Sequence, residues 1–362
     1  MNQHTGRWMI YGANGYTGEL LAALAARRGE RPLLAGRRRP AVAALAERLE
    51  LEHRVFDLDD ARAIARQLED VDALVLAAGP FSETSARTVE ACLQARTHYL
   101  DITGEVAVFE AIQARGPDAA ARGVVLLPGV GFDVVPSDCL AAALAEALPG
   151  ADELELAIHS RGSMSRGTLK TSLEGLSAGL VRRDGALVEI PTASLRATIP
   201  FPKGPREAVA IPWGDLSTAY FSTKIPNITV YMALPPRTIQ SLRALAYARP
   251  LLRRPGLIRL LQRLVDVAVV GPDQAARERG SVWLWGRARR RDGEATSAVL
   301  RTPESYSLTA EAALRCVLRT LAGDAPPGYQ TPSTAFGSRF IAELPGCELT
   351  FESSPGGATS TP

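Results

Sequence analysis

Short apolar runs alternate with amphipathic stretches along the first half of the chain. Trp8–Tyr11 has the composition of a short buried strand, and residues 17–28 place three leucines on one face of a helix. The run VDALVLAA at 71–78 is nearly all apolar, as expected for a strand covered on both faces. Strands that alternate with helices at this spacing predict a doubly wound parallel sheet.

The pattern changes after residue 150. Residues 154–233 carry short strand-like stretches that Gly and Pro interrupt, which favours a second α/β domain with a mixed or antiparallel sheet. Residues 238–269 and Leu308–Leu321 have helical patterns. We therefore divide the chain into a first domain (1–150), a second domain (151–325), a C-terminal segment (326–352) and a disordered tail (353–362).

Composition narrows the class of protein. The 41 Lys and Arg residues nearly balance the 39 Asp and Glu residues, so a broad nucleic-acid-binding face is not expected. Hydrophobic residues make up 46% of the chain, enough for a large core. The four cysteines have no C-x-x-C or other metal-ligand spacing, so we expect reduced thiols and no metal site. With no apolar leader or membrane-length apolar run in this sequence, the expected location is the cytoplasm.

The strongest motif is the sequence GANGYTG at 12–18, which lies between the first predicted strand and the first helix. In such a loop the first Gly permits a tight turn, the second lets the backbone approach a pyrophosphate, and the third allows close packing of helix on sheet. The pyrophosphate would bind at the helix N-terminus, and the alternative is a purely structural turn. We expect a Rossmann dinucleotide site that includes Gly12, Asn14, Gly15, Tyr16, Thr17 and Gly18.

The end of the second strand predicts which dinucleotide is bound. An NAD site carries an acidic residue there for the ribose 2′-hydroxyl, whereas this chain continues as AGRRR from Ala35. Arg37, with Arg38 beside it, is placed to meet the 2′-phosphate of NADP, and the alternative is a solvated basic turn. The remaining expected cofactor contacts are Asp57 beside the adenine and Gly79, Pro80 and Phe81 on the nicotinamide side.

These motifs together resemble the saccharopine dehydrogenase-like oxidoreductases, in particular the branch that contains the trans-acting enoyl reductases. The resemblance rests on GANGYTG, AGRR, AGPFSETSARTVEACLQARTHYLDITGE and GVGFDVVPSD over residues 7–140, and more weakly on SRGTLKTSLEG, WGDLSTAYFS and TPSTAFG. It implies an NADP-binding Rossmann domain, a second domain over the active-site cleft, a final segment that packs back near the first domain, and a homodimer. The family reduces C=N bonds or saturates C=C bonds in lipid biosynthesis. We find no counterpart of the Lys and His pair of lysine-forming saccharopine dehydrogenases, so saccharopine is not the expected substrate.

Hydride transfer usually needs a proton donor near the carboxyl ends of the first-domain strands. Asp101 follows the fifth strand and Asp133 follows the sixth, and both are candidates, with domain-closing hydrogen bonds as the alternative role. Lys170, in the turn SRGTLKTS, is a third candidate, and its alternative is a surface lysine. Asp138 and Glu105 have the positions of helix caps.

Two further features compete with this interpretation. Tyr220 and Lys224 match the Y-x-x-x-K of short-chain dehydrogenases, but the segment is β-branched and aromatic and Pro226 follows, so we interpret the match as coincidence. Residues 250–270 combine leucines with arginines, and predict either a lipid or membrane contact or a dimer or core helix.

The predicted function is NADP(H)-dependent reduction of a C=C or C=N bond in a small-molecule or lipid-like substrate. The alternative is a catalytically silent NADP-binding sensor or interaction protein.

Overall fold

A computed structural model describes residues 6–160, 179–246 and 280–352. Its strands are β1 (Trp8–Tyr11), β2 (Leu33–Gly36), β3 (His53–Val55), β4 (Ala73–Leu76), β5 (His98–Asp101), β6 (Val125–Leu127), β7 (Glu153–Ser160), β8 (Gly179–Arg183), β9 (Ala186–Ile190), β10 (Arg196–Ile199), β11 (Arg206–Ala210), β12 (Asn227–Ala233), β13 (Ser281–Arg289), β14 (Ala295–Pro303), β15 (Gly328–Tyr329) and β16 (Glu348–Phe351). Its α-helices are α1 (Tyr16–Arg27), α2 (Arg39–Leu49), α3 (Ala61–Gln67), α4 (Phe81–Ala95), α5 (Val106–Gln113), α6 (Gly116–Ala121), α7 (Val135–Ala147), α8 (Asp215–Thr223), α9 (Pro236–Ala246), α10 (Ser305–Leu321) and α11 (Pro332–Phe336), followed by a 3-10 helix (Ser338–Glu343).

The first sheet is parallel throughout and has seven strands in the order β15-β6-β5-β4-β1-β2-β3. The chain starts in the middle at β1, runs outward through β2 and β3, and then crosses back to β4, so the strand order reverses between β1 and β4. A ligand crevice forms outside the carboxyl ends of the strands at such a reversal. The predicted Rossmann-type sheet is therefore confirmed.

The second sheet has nine strands. Seven of them follow the order β10-β11-β12-β7-β13-β14-β16, and the hairpin of β8 and β9 attaches beside β12. The pair formed by β12 and β7 is parallel and the other neighbours are antiparallel, so the predicted mixed sheet is also confirmed.

Two helices join the sheets. The largely buried helix α7 leads from the first sheet into β7 and packs on the second sheet. The helix α10 leads from β14 back to β15 and packs against α1, where the Arg28 guanidinium donates to both carboxylate oxygens of Glu311 at 2.9 and 2.6 Å. One hydrophobic core includes residues of both sheets. The loops at the carboxyl edge of the first sheet therefore face elements of the second domain.

The C-terminal segment contributes to both sheets, since β15 extends the first sheet beside β6 and β16 extends the second beside β14. The tail at 353–362 and most of the helical stretch predicted at 238–269 lie outside the described residues. No helix in the described ranges has the length and apolar character to span a membrane.

Two local expectations are wrong. The helix α7 begins at Val135 with Pro136 in its first turn, so neither Ser137 nor Asp138 is its N-cap. The segment around Tyr220, which we expected not to be helical, forms α8 and ends only at Lys224, whose φ of 60° closes the helix. Burial of Leu216 and Ala219 against the core outweighs the low helix propensity of the β-branched residues.

Candidate cofactor and active site

The glycine loop is packed so tightly that two of its positions accept only Gly. Gly12 has a φ of +84°, and a Cβ there would lie 2.9 Å from the Ala77 backbone. A Cβ on Gly18 would lie 2.3 Å from the Gly12 carbonyl oxygen. Gly15 is the exposed N-cap residue of α1, and no side chain caps that end of the helix. The loop is thus a backbone cradle in which the N-terminus of α1 faces outward, which fits a pyrophosphate.

Three other side chains of the loop lie around this cradle. Asn14 crosses from the end of β1 to the end of β2, because a Cβ on Gly36 would lie 2.9 Å from its Oδ1. The ring of Tyr16 meets that of Tyr306, at the start of α10, edge to face with centroids 5.0 Å apart. Thr17 is half-buried in the first turn of α1. The second domain therefore contacts the glycine loop through Tyr306.

The carboxyl end of β2 presents the two arginines expected to meet a 2′-phosphate. Arg37 and Arg38 are exposed, and neither forms a salt bridge with any residue that the structure describes. Nearby, the Tyr11 hydroxyl donates to the Phe56 carbonyl at 2.7 Å, and burial, with the Asp57 charge second, raises the pKa of Tyr11 to about 12. This corner places the exposed guanidinium group of Arg37 near the Tyr11 ring, with Arg38 beside it in sequence. Such a combination of cations and an aromatic ring suits an adenosine phosphate.

At the end of β4, the segment Gly79-Pro80-Phe81 leads into α4. Glu105 fills the N-terminus of this helix: its carboxylate accepts the N–H groups of Phe81 at 2.9 Å and Ser82 at 2.8 Å. We expected Glu105 to cap its own helix, α5, but it makes no side-chain cap hydrogen bond there. The N-terminus of α4 is thereby satisfied within the protein, so the uncapped α1 is the better anion site of the two.

Asp101 is fully buried at the end of β5. Its carboxylate accepts the Tyr99 hydroxyl at 2.7 Å and the N–H groups of Thr103 and Gly129 at 2.9 Å each. Burial raises its pKa to about 6, against the opposing effect of these donors. The carboxylate ties β5 to the loop after β6 and is already occupied by protein donors.

Asp133 lies in that loop, and its surroundings are different. It is half-buried, its side chain packs on Gly104, and its carboxylate accepts no hydrogen bond from any described residue. Burial raises its pKa to about 6. Its backbone carbonyl accepts the Trp213 indole N–H at 2.7 Å, and the preceding Phe132 N–H donates to Thr309 Oγ1 at 2.9 Å. Of the predicted proton donors that the structure describes, Asp133 is the one whose carboxyl group is open.

Two further acids lie behind this loop, and the sequence did not identify the role of either. Asp138 accepts the Ser222 hydroxyl and the Ser333 N–H, each at 2.8 Å, and so links α7 to α8 and α11; burial raises its pKa. Asp215, at the start of α8, is fully buried, and neither carboxylate oxygen has a hydrogen-bond partner among the described residues. The adjacent Ser137 hydroxyl donates instead to the Val134 carbonyl at 3.2 Å. Burial raises the pKa of Asp215 well above its usual range; the nearby Ser137 hydroxyl opposes this effect and the charge of Asp138 adds to it.

The remaining candidates do not join this cluster. Lys170 lies outside the described residues. The Tyr220 ring packs against the Arg182 guanidinium at 4.3 Å, whereas Lys224 Nζ lies 4.5 Å from the centre of the Phe221 ring. Tyr220 and Lys224 thus contact different side chains.

Comparison with known proteins identifies the first domain. Residues 8–127 match the family described as the saccharopine dehydrogenase NADP binding domain. A Mycobacterium tuberculosis protein, provisionally named a trans-acting enoyl reductase, is 33% identical over 183 residues, which cover 47% of this chain and 44% of that protein. The chain therefore matches less than half of that relative's length.

Two solved structures share the fold across nearly the whole chain. Saccharopine dehydrogenase (L-Glu forming) of Saccharomyces cerevisiae matches with a TM-score of 0.67 and 12% identity, over 96% of this chain and all of that one. Homospermidine synthase of Legionella pneumophila, solved with NAD, matches with a TM-score of 0.62 and 11% identity, over 99% and 94% of the two chains. At such identities the likeness shows the fold alone.

The first domain thus matches the saccharopine dehydrogenase NADP binding domain, and the predicted resemblance to saccharopine dehydrogenase-like oxidoreductases is confirmed for it. The prediction of NADP as the cofactor is likewise confirmed by the matched family. The cradle at Gly12 and Gly18, the uncapped α1 and the exposed Arg37 fit that cofactor.

Proposed function

We propose that the protein is an NADPH-dependent reductase that saturates a conjugated C=C bond of an enoyl substrate, with Asp133 as the proton donor. The observation that carries the proposal is the open carboxyl group of Asp133, at the same sheet edge as the NADP cradle. Its pKa of about 6 leaves a usable protonated fraction near neutral pH. The Mycobacterium tuberculosis relative, provisionally named a trans-acting enoyl reductase, supports C=C over C=N as the reduced bond.

Each residue of the edge has a task in this reaction. The backbone around Gly12–Gly18 would hold the pyrophosphate, and Arg37 and Arg38 the 2′-phosphate. The segment Gly79–Phe81, fixed by Glu105, would form the nicotinamide side of the crevice. The chemistry that NADPH supplies when bound is donation of a hydride, here to the β-carbon of the enoyl group.

Asp133 would complete the reduction. Addition of a hydride to the β-carbon leaves an electron pair on the α-carbon and the carbonyl oxygen, and transfer of the Asp133 proton to the α-carbon restores a neutral product. The C=C bond thereby becomes a single bond with one hydride and one proton added. The Asp133 carboxylate then regains a proton from water, which its partial exposure allows.

The test is NADPH oxidation with a trans-2-enoyl thioester and, in parallel, with a cyclic imine. We expect turnover of the thioester, and a fall in kcat of roughly 10²- to 10⁴-fold in Asp133→Asn with little change in NADPH affinity. Turnover of the imine alone would replace C=C by C=N as the reduced bond. Tight NADPH binding without oxidation by either compound would favour the silent NADP-binding sensor.

Three further parts of the proposal concern the surroundings of the enzyme. A homodimer, a cytoplasmic location and a lipid contact through residues 250–270 are expected from the sequence and its resemblance, and residues 250–270 lie outside the described part. Sedimentation velocity would test the dimer, and flotation with liposomes would test the lipid contact. Absence of flotation would leave the dimer-interface or core-helix interpretation of that stretch.

A further inference from the structure

The turn that precedes α8 brings the second domain directly onto the loop that carries Asp133. The Trp213 indole N–H donates to the Asp133 carbonyl at 2.7 Å. At the next residue, Gly214, a Cβ would lie 2.7 Å from Phe109 and 3.1 Å from Val134, so the turn and the loop are in close contact. Gly129, at the other end of the loop, is packed as closely, since a Cβ there would lie 2.9 Å from Phe109 and 3.0 Å from Val134. The loop is thus held between Phe109 and the Trp213 turn.

Asp133 has few other restraints. Its carboxyl group has no hydrogen-bond partner among the described residues, and its side chain is in contact with Gly104, which offers only backbone. The Asp133–Val134 peptide unit has two hydrogen bonds: the indole bond to its carbonyl at 2.7 Å and a longer bond from the Val134 N–H to the Gly131 carbonyl at 3.3 Å. The indole makes the shorter of the two and is the one that joins the loop to another element. A donor displaced by about 1 Å can lose a large part of its catalytic effect.

The exposed part of Trp213 is apolar. Its side chain is half-buried, and its single polar atom, Nε1, is already used in the bond to Asp133. Part of the indole packs on the hydrophobic core, so what remains to face a ligand is the exposed part of the ring. An apolar wall beside the acid excludes water from one side of it and suits a planar, unsaturated acyl group.

We propose that Trp213 is a positioning residue that holds Asp133 for proton transfer and forms the apolar wall of the acyl-binding side of the site. This inference rests on the proposed reductase function for its catalytic part, whereas the contact itself can be tested without turnover. The titratable group that senses the Asp133 charge is Asp215 on α8, which also faces Asp138 on α7. Asp101 and Glu105, at the end of β5 and just beyond it, act on each other.

The contact is tested by tryptophan fluorescence as a function of pH. The chain has four tryptophans, and a neighbouring carboxyl group changes indole emission when it ionises. We expect a change in wild-type emission with a midpoint near the Asp133 pKa of about 6, lost in both Asp133→Asn and Trp213→Phe. Trp283→Phe, in β13, is the matched control and should retain it. Asp101 titrates in the same range, so a change that survives in Asp133→Asn, or in Trp213→Phe, would overturn the contact.

The positioning role is tested by the pH profile of enoyl-thioester reduction. Trp213→Phe keeps an aromatic ring but loses the N–H donor that ties the loop to the turn. The released loop should expose the Asp133 carboxyl group to more water, so its pKa, which burial raises, should fall. We expect kcat to fall at least tenfold, the alkaline limb of the profile to move to lower pH, and the KM for NADPH to stay unchanged. A Trp213→Phe enzyme with wild-type kcat and pH profile would overturn the positioning role. Unchanged NADPH binding by the variant shows that it is folded, and failure of wild type to turn over would count against the proposed function, not against the fluorescence result.

Discussion

Replacement of Asp215 by Asn should stabilise the protein more as the pH rises. Asp215 is 0% exposed at the start of α8, and neither of its carboxylate oxygens has a hydrogen-bond partner among the described residues. Burial and the neighbouring Asp138 raise its pKa well above the ordinary range. The carboxyl group is therefore protonated in the folded protein under conditions where the same group is ionised in the unfolded chain.

The sign and size follow from proton linkage. Below the unfolded-state pKa of about 4, both states carry the proton and Asp215 contributes no pH dependence. Above it the unfolded state loses the proton while the folded state keeps it, so the free energy of unfolding of wild type falls by about 1.4 kcal/mol per pH unit from this group alone. An Asn at this position cannot ionise. The difference between the variant and wild type should therefore grow by about 1.4 kcal/mol between pH 5 and pH 6.

The assay is urea unfolding of both proteins at pH 5 and pH 6, followed by circular dichroism. The exposed Asp59 provides the matched control, because Asp59→Asn removes a carboxyl group that water already solvates and should give the same difference at both pH values. The Asn side chain also leaves polar atoms buried, so Asp215→Asn and wild type need not be equally stable at pH 4. The quantity to compare is therefore the change with pH in the difference between their free energies of unfolding. A difference that is constant between pH 5 and pH 6, or that shrinks, would mean that Asp215 is ionised in the folded protein and would refute the reasoning.

Two predictions concern the cofactor. Arg37→Ala should lower NADPH affinity about tenfold to a hundredfold, since a charge-assisted contact contributes roughly 1.5–3 kcal/mol, and should leave NADH affinity unchanged. Calorimetric titration of both cofactors measures the two affinities. An equal loss of affinity for both cofactors would contradict a 2′-phosphate contact. Gly18→Ala should lower both stability and NADPH affinity, because its Cβ would lie 2.3 Å from the Gly12 carbonyl oxygen, and overpacking of this kind costs roughly 1–3 kcal/mol. Gly15→Ala is the matched control, since its Cβ would meet only the Gly12 carbonyl oxygen, at 3.2 Å. We expect this variant to bind NADPH more weakly while its thermal unfolding stays nearly unchanged. Equal destabilisation of the two variants would argue against the phosphate-facing position of Gly15.

The parts of the site that the sequence predicted are those that local chemistry determines. The turn from β1 into α1 requires Gly at 12 and 18 because of contacts within a few residues, apart from the backbone of Ala77, so a short motif carries the information. The alternation of apolar strands and amphipathic helices reflects the burial of both faces of a parallel sheet, which is also visible one segment at a time. The predicted architecture followed from these local patterns.

The parts that the sequence did not predict depend on contacts between distant residues. Glu105 follows β5 but caps α4, because the loop after β5 passes beside the end of β4. Asp138 has the spacing of a helix cap, yet its carboxylate accepts donors from residues 84 and 195 positions later in the chain. Trp213 stands in a short turn and Asp215 begins α8 just after it, and the importance of both comes from the loop that this turn packs against. A pattern with helical or strand periodicity contains none of this information.

The acidic residues near the carboxyl edge of the first sheet differ in how many hydrogen-bond donors the protein supplies to them, and this difference separates their roles. Asp101, Asp138 and Glu105 each accept two or three hydrogen bonds from the protein, most of them from other segments, so protonating or removing these carboxylates changes the position of loops and helices. Asp215 has neither donors nor solvent access, so it stays protonated and acts on stability. Asp133 has no donor among the described residues and is only partly buried, which suits exchange of its proton with a bound ligand and with water. This combination is why we propose Asp133, and not Asp101, as the proton donor, although burial raises the pKa of both to about 6.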